Sequence, residues 1–421
     1  MKILWFANAP CSAIEILNNN TNLGGWLQSL EEQIVQQENT ELSVCFYWGE
    51  ELKPFRHRKT TYYPVVRKIF GSKILRVVAR AVGKSHNDKK ELKKILSVIE
   101  LVKPDVIHIH GTEDNFGLIQ PYTKIPTVIS MQGILSPCSE KYFSGIPFLI
   151  AYWYEGLISK ILVRSIRRQY YDIKNRAVRE RRILSQTKYI IGRTDWDKRI
   201  TRILAPDSMY YISNEILRSS FYEKQWDKDQ FSNPLQIVTT LSDNLYKGLE
   251  TIVTTSRILV ENRILDFEWT IIGISEYSES SRIVQRWLKA DFESLRIKLV
   301  GSKNQNELVD ILLQSDIYCQ VSHIENSSNS LCEAMLLGMP VIATYAGGTA
   351  SLLFDKKEGI LVQEGEPYSY ACAIYELAHN FMLATKYAAA ARERALKRHS
   401  KKQIAKNMIS IYKAALSRCE Q

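Results

Sequence analysis

The chain has 421 residues, 45% hydrophobic and 24% charged, with a formal net charge of +11. That length and apolar content suit two ordinary globular domains with sizeable cores. Seven scattered cysteines form no C-x-x-C pair, which excludes zinc-ligand spacing and, with no signal peptide, points to reduced thiols in a cytoplasmic setting.

The positive charge is concentrated in two segments. Lys53 to Lys94 holds fourteen Lys/Arg against Asp88 and Glu91, a net of +12. Lys160 to Arg182 holds nine against Asp172 and Glu180, a net of +7, which leaves −8 for the rest of the chain. Both interleave cations with apolar residues, Ile69, Phe70, Ile74 and Leu75 in the first and Ile161, Leu162, Val163 and Ile166 in the second. Such segments are either solvated helix faces over a buried stripe or contacts for an anionic membrane surface. Gly145 to Val163 is the most apolar run, but Glu155 and Lys160 interrupt it. It is expected as an interfacial or groove-lining helix, not a membrane span.

In chain order, Lys2 to Ala7 reads as a first buried strand. A loop through Asn18-Asn19-Asn20 ends in Gly24-Gly25-Trp26, and Leu27 to Gln36 reads as a helix. Strand, glycine turn and helix open a nucleotide-binding α/β unit or are simply a loop before a helix. Val44 to Trp48 is the second expected strand, followed by basic helical material to Ile99. Asp105 to His110 is a strand with His110 and Gly111 at its tip, and Thr127 to Met131 a strand ending in Gln132-Gly133. Ligands gather at such carboxyl ends in open parallel sheets. His110 there binds substrate or is a satisfied structural histidine. Tyr189 to Ile191 leads into Gly192-Arg193, where Arg193 meets substrate or pairs with Asp195 or Asp197.

A second run of strands begins at Leu235 to Leu241, with Tyr246-Lys247-Gly248 in the loop before the helix Leu249 to Val260. Trp269 to Gly273, Lys298 to Gly301 and Asp316 to Val321 follow, then a helical tail from Pro367. Strands alternating with helices in both halves give an α/β class of two Rossmann-like domains facing a central cleft. The expected limits are 1–210, 211–400, and 401–421 as a helix returning to the first domain.

The richest segment runs from His323 to Gly348. Glu325 and Glu333 stand with seven residues between them. Asn326 to Asn329 are turn and capping residues before the periodic stretch Leu331 to Leu337, which Gly338 and Pro340 stop. A helix starting near Asn329 or Ser330 offers its free N–H groups and dipole to a phosphate. Glu325 before that helix and Glu333 one turn inside it can act on two parts of one ligand. Gly347-Gly348, after the strand Val341 to Ala343, permits close backbone approach. The bland alternative is a buried strand–helix–strand with solvated glutamates.

These residues resemble the Glu-x7-Glu signature of family 4 retaining glycosyltransferases of GT-B fold. Glu325, Glu333, Ala334, Met335, Gly338, Pro340, Val341, Ile342, Ala343, Gly347 and Gly348 fit; Asn326-Ser327-Ser328 replaces Gly-Phe-Gly, and Ser351 replaces a final glutamate. The form is similar to a branch of bacterial surface-polysaccharide enzymes. The resemblance implies that Glu325 faces the donor sugar and Glu333 holds the ribose. The amides of Asn329 and Ser330 would hold the diphosphate, with Lys247, Gly248 and Gly273 in the same donor site. It puts Gly24 and Gly25 across from the donor phosphates and the acceptor, and Gln132 near the reacting sugar; beside them Gly133 and Arg193 are read as further acceptor or phosphate-loop residues, and His110 as a catalytic candidate that binds substrate. The family arginine near Ser242 is missing, and Gln132 stands in place of a histidine.

The implied activity transfers a sugar, with retention, from a nucleotide sugar to a glycan or lipid-linked saccharide in capsule, exopolysaccharide or lipopolysaccharide assembly. No cofactor or metal is implied, because Lys247 and helix amides neutralise the leaving diphosphate and no Asp-x-Asp motif stands where a metal would need it. The expected place is the cytoplasm, peripheral on the inner face of the membrane. Two rival readings are a GT-B nucleotide-sugar epimerase, which needs no acceptor, and a basic nucleic-acid-binding protein, which lacks any base-reading motif here and is not expected.

Overall fold

The computed structural model describes residues 1–17, 25–67, 88–156, 159 and 165–418. The chain divides into two compact units, one made of Met1–Ser139, Arg168–Arg218 and His399–Gln421, the other of Glu140–Arg167 and Ser219–Arg398.

The first unit is built on an eight-stranded sheet. Its strands are β1 (Lys2–Ala7), β2 (Glu41–Trp48), β3 (Phe55–His57), β4 (Thr60–Val66), β5 (Val106–His110), β6 (Thr127–Ser130), β7 (Tyr189–Gly192) and β8 (Met209–Ile212), in the order β3-β4-β2-β1-β5-β6-β7-β8. All pairings are parallel except β3 with β4. Every residue of β5, β6 and β7 is buried. Near-continuous apolar strands of this kind need helices on both faces, which is what a parallel sheet provides. The β3–β4 hairpin was not anticipated from the basic composition of that stretch.

The last helix, Lys401–Ser417, buries Ile404, Met408, Ile411 and Tyr412 in the same core as Ile3 and Trp5 of β1. Tyr412 is its polar anchor. Its hydroxyl accepts from Trp5 Nε1 at 3.0 Å and lies 2.6 Å from His108 Nδ1.

The second unit holds six parallel strands: β9 (Leu235–Thr240), β10 (Phe267–Ile272), β11 (Ile297–Leu299), β12 (Ile317–Gln320), β13 (Val341–Thr344) and β14 (Ile360–Val362), in the order β11-β10-β9-β12-β13-β14. The order reverses at β9, which lies between β10 and β12. Such a switch point leaves a crevice at the carboxyl ends of the two flanking strands. The loops after β9 and β12 are therefore the places to look for chemistry. The first unit has the same device at β1, between β2 and β5.

The segment 140–167, expected with the first domain, belongs to the second unit. Its attachments explain this: Gly156 N–H donates to Glu279 Oε1 at 3.0 Å, and Lys141 Nζ pairs with Glu364 at 2.5 Å. Of the expected helix over Gly145 to Val163, the described part is Phe148–Tyr154, with Leu149 and Trp153 about three-quarters exposed. No helix among the described residues is long and apolar enough to cross a membrane. Residues 68–87 of the first basic segment, and 160–164 of the second, lie outside the described residues.

Candidate functional site

In the second unit the chain after β9 turns through Leu245–Lys247 and enters the helix Leu249–Glu261 at Gly248, whose φ is +84°. A Cβ on Gly248 would meet the Val321 carbonyl oxygen at 2.2 Å, so only glycine lets this turn press against the chain leaving β12. His323 N–H then donates to the Tyr246 carbonyl at 2.9 Å. The two loops are thereby laced backbone to backbone, and Lys247 Nζ forms an ion pair with Glu325 Oε1. Ser322 Oγ donates to that same Oε1 at 2.9 Å. Both charged side chains keep about a fifth of their surface in solvent, so each remains within reach of a ligand.

Beyond Glu325 the helix Asn329–Leu337 begins, capped by Ser328, whose Oγ accepts from Leu331 N–H. The Cys332 N–H bonds the Ser328 carbonyl. The first-turn amides of Asn329 and Ser330 have no place in the helical ladder, which is the geometry that attracts anions. Glu333 is buried one turn inside. Beneath lies Tyr318 of β12. Burial first, then the carboxylates of Glu325 and Glu333, push its hydroxyl up from the usual tyrosine range.

Several expectations need correction. Gly347, at φ +55°, does approach a backbone, but that of Glu325: a Cβ would sit 2.1 Å from the Glu325 carbonyl oxygen, and Gly348 N–H donates to the same oxygen at 2.8 Å. The glycine pair clasps the glutamate's own peptide. Gly273, at φ +103°, is packed on the Leu241 carbonyl. Where the family arginine was sought, Asp243 instead accepts from Glu279 and Ser280 N–H and caps the helix Glu279–Leu288.

The first unit gathers a different set. Gly24 lies outside the described residues, and Gly25 begins the helix Gly25–Ile34, earlier than the expected start at Leu27. The Arg193 guanidinium stacks 4.6 Å from the Trp26 ring centre, and its Nε lies 3.3 Å from Glu215 Oε2. Glu215 is thus an acidic partner of Arg193. Asp197 is spent on the Arg193 N–H at 2.9 Å. His110 is fully buried against Trp5, Trp26 and His108, with ring centres 4.5, 5.8 and 3.9 Å away. Neither of its ring nitrogens has a hydrogen-bond partner among the described residues. Burial, with His108 and Arg193 adding to it, holds its pKa well below the usual histidine value. This enclosure does not support a substrate-touching role for His110. Gln132 and Gly133 follow β6 half-buried.

Sequence reasoning missed Glu113. Its Oε1 accepts from Gly133 N–H at 2.8 Å, and Oε2 lies where a Cβ on Gly111 would be, so it bridges the carboxyl ends of β5 and β6. Burial pushes this carboxyl up, against the bond from Gly133. The available signal was a glycine at a strand's end followed closely by a carboxylate. Also missed was a buried pair in the second unit, His323 with Glu250, 2.6 Å apart.

Residues 222–394 match the family described as glycosyl transferases group 1. That match covers less than half of the chain. Across the whole chain, the sucrose-phosphate synthase from Thermosynechococcus elongatus aligns with a TM-score of 0.72 at 13% identity, covering 99% of this chain and 100% of that one. The Anabaena protein HepE, solved in complex with UDP and glucose, aligns at 0.62 with 14% identity over 97% and 98% of the two chains. The architecture is therefore GT-B, α/β with two parallel-sheet domains, as the motif implied. The amylovoran biosynthesis glycosyltransferase AmsK of Erwinia amylovora is 29% identical over 156 residues, 36% of this chain and 37% of that one. The match thus spans little more than a third of that relative's length.

Proposed function

We propose that this GT-B chain is a retaining glycosyltransferase of the family 4 type. It moves a sugar from a nucleotide-sugar donor to a glycan or lipid-linked saccharide in surface-polysaccharide assembly. The observation that carries the reading is the Lys247–Glu325 pair, set at the β9/β12 switch point immediately before the helix Asn329–Leu337. A cation, a carboxylate and a free helix end in that order suit a sugar diphosphate.

In this reading Lys247 and the Asn329 and Ser330 amides stabilise the departing diphosphate, a preorganised electrostatic role that needs no metal. Glu325 orients the donor sugar hydroxyls, Glu333 receives the ribose, and Gly248 and Gly273 shape the turns around them. Gly25, Gly133 and Arg193 of the first unit serve the acceptor, with Gln132 orienting a sugar hydroxyl. The UDP complex of the Anabaena neighbour and the polysaccharide role in the name of AmsK support a nucleotide-sugar donor and a glycan product. Exposed Leu149 and Trp153 support work at the cytoplasmic face of an anionic membrane.

A thermal-shift screen across UDP-, GDP- and ADP-sugars tests the donor, because a bound ligand stabilises the folded state. Product analysis by NMR then reads the anomeric configuration. A screen in which no sugar nucleotide raises the melting temperature overturns the proposal. Conversion of the donor without any acceptor would favour the epimerase alternative.

A further inference from the structure

We infer that His323 and Glu250 form a positioning pair that keeps Lys247 and Glu325 in register while the donor is bound. The inference rests on the donor-site reading above.

The pair occupies a telling place. His323 lies two residues before Glu325, and Glu250 lies three after Lys247, in the first turn of the helix Leu249–Glu261. His323 therefore grips the opposite loop twice. Its N–H holds the Tyr246 carbonyl at 2.9 Å, and its Nε2 holds Glu250 Oε1 at 2.6 Å. Lys247 sits between those two points of attachment. Both side chains are at least nine-tenths buried.

The segment 140–167 closes the pair off. Gly145, at φ +82°, lies so near that a Cβ would stand 2.1 Å from Glu250 Oε1 and 2.5 Å from His323 Nε2. On another side Gly365, at φ +70°, would bring a Cβ to 3.1 Å from His323 Cε1.

The physical need follows from the ion pair. Lys247 and Glu325 now help to tie the two loops, but a donor that takes Lys247 by its diphosphate and Glu325 by its sugar must break that tie. Links that remain at this point include the His323 backbone bond, the Gly248 contact and the His323–Glu250 bond. Burying an imidazole and a carboxylate costs free energy that apolar side chains of the same size would not. What the polar pair adds is direction. A displacement of about 1 Å at reacting groups can cost about a hundredfold in rate.

The test compares His323→Ala, Glu250→Ala, Glu250→Gln and the apolar double variant His323→Phe/Glu250→Leu. Nucleotide release from a panel of UDP-, GDP- and ADP-hexoses is followed, with active sites counted by nucleotide titration. The expected result is a kcat per site lower by about tenfold or more in both alanine variants, with donor KM changed by less than about threefold. Glu250→Gln, which keeps the accepting oxygen, should recover to within about threefold of wild type. The apolar double should melt like wild type and remain slow.

Wild-type kcat per site in either alanine variant overturns the inference. So does restoration by the apolar pair, which would make the role one of packing, and so does a Glu250→Gln as slow as Glu250→Ala. A wild-type protein that processes no sugar nucleotide in the panel instead overturns the donor-site reading beneath it.

Discussion

Lys247 and Glu325, 78 residues apart in sequence, meet as an ion pair across the carboxyl ends of β9 and β12. The assigned roles demand that this pair open, because Lys247 cannot hold both a diphosphate and a carboxylate at full strength. Replacing Lys247 by alanine should lower kcat/KM by about a hundred- to a thousandfold, the usual effect of losing one preorganised charge-stabilising group. Circular dichroism should show the fold intact.

Glu325 gives a prediction of opposite signs. Glu325→Gln removes the carboxylate that competes for Lys247, so the nucleoside diphosphate should bind more tightly. A partly exposed ion pair contributes up to about 1 kcal/mol, or about fivefold in affinity. Turnover should nevertheless fall, because the sugar loses its carboxylate contact. Isothermal titration with UDP, GDP and ADP, alongside donor turnover, measures both. A variant that binds these nucleotides more weakly contradicts the competition.

How much of this was legible in sequence depends on whether a feature is local. The two α/β halves were legible, because buried parallel strands are apolar runs separated by helical stretches. The start of the helix Asn329–Leu337 was legible from its capping residues, although the cap itself is Ser328. Meetings set by strand order were not. Lys247 reaches Glu325, and Glu250 reaches His323, only because β12 lies beside β9; no spacing rule encodes that adjacency, so the family resemblance alone put Lys247 with Glu325 and nothing put Glu250 with His323. Gly347 could be read as a close-approach glycine, but not that the approaching backbone is that of Glu325. Glu113 escaped because a glycine at a strand's end followed by one carboxylate is a weak signal, and its bridging place depends on Gly111 and Gly133 converging.

Gly347 offers a controlled test of the clasp on Glu325. Alanine in the left-handed region costs about 1–2 kcal/mol by itself. At Gly347 it would also drive a Cβ to 2.1 Å from the Glu325 carbonyl oxygen, a backbone atom that cannot swing aside. Gly301, at φ +68°, has open space around its would-be Cβ. Gly301→Ala should therefore show the conformational cost alone, whereas Gly347→Ala should melt lower and lose stabilisation by sugar nucleotides. Equal melting temperatures for the two variants would remove the clasp from the account.

His108 and His110 predict acid sensitivity in the first unit. Burial, then Arg193, lowers the His108 pKa from 6.5 to about 3, and burial also holds His110 well below its ordinary value. Both groups favour the neutral form in the folded state. Their contribution is fully present above pH 6.5 and is lost as the pH falls toward the depressed folded values, because the unfolded chain takes up protons that the native one refuses. Each such proton contributes a slope of about 1.4 kcal/mol per pH unit. Urea unfolding across this window should show a steep fall, and His110→Phe, which cannot be protonated, should flatten it by about one proton.

Tyr412 joins the last helix to the first strand through a single hydroxyl. Removing it in Tyr412→Phe leaves the Trp5 indole N–H and His108 Nδ1 buried without that oxygen. A buried polar group deprived of its partner costs about 1–3 kcal/mol. The ring itself stays, so packing with Ile404 and Met408 is kept and the loss reports the hydrogen bonds alone. A unit of this size loses about 2–4 °C of melting temperature per kcal/mol, so differential scanning calorimetry should resolve the change. Donor binding should be unaffected, since Lys247, Glu325 and the helix Asn329–Leu337 belong to the other unit. A variant that melts like wild type would mean that the C-terminal helix is held by apolar contacts and that the hydroxyl adds nothing.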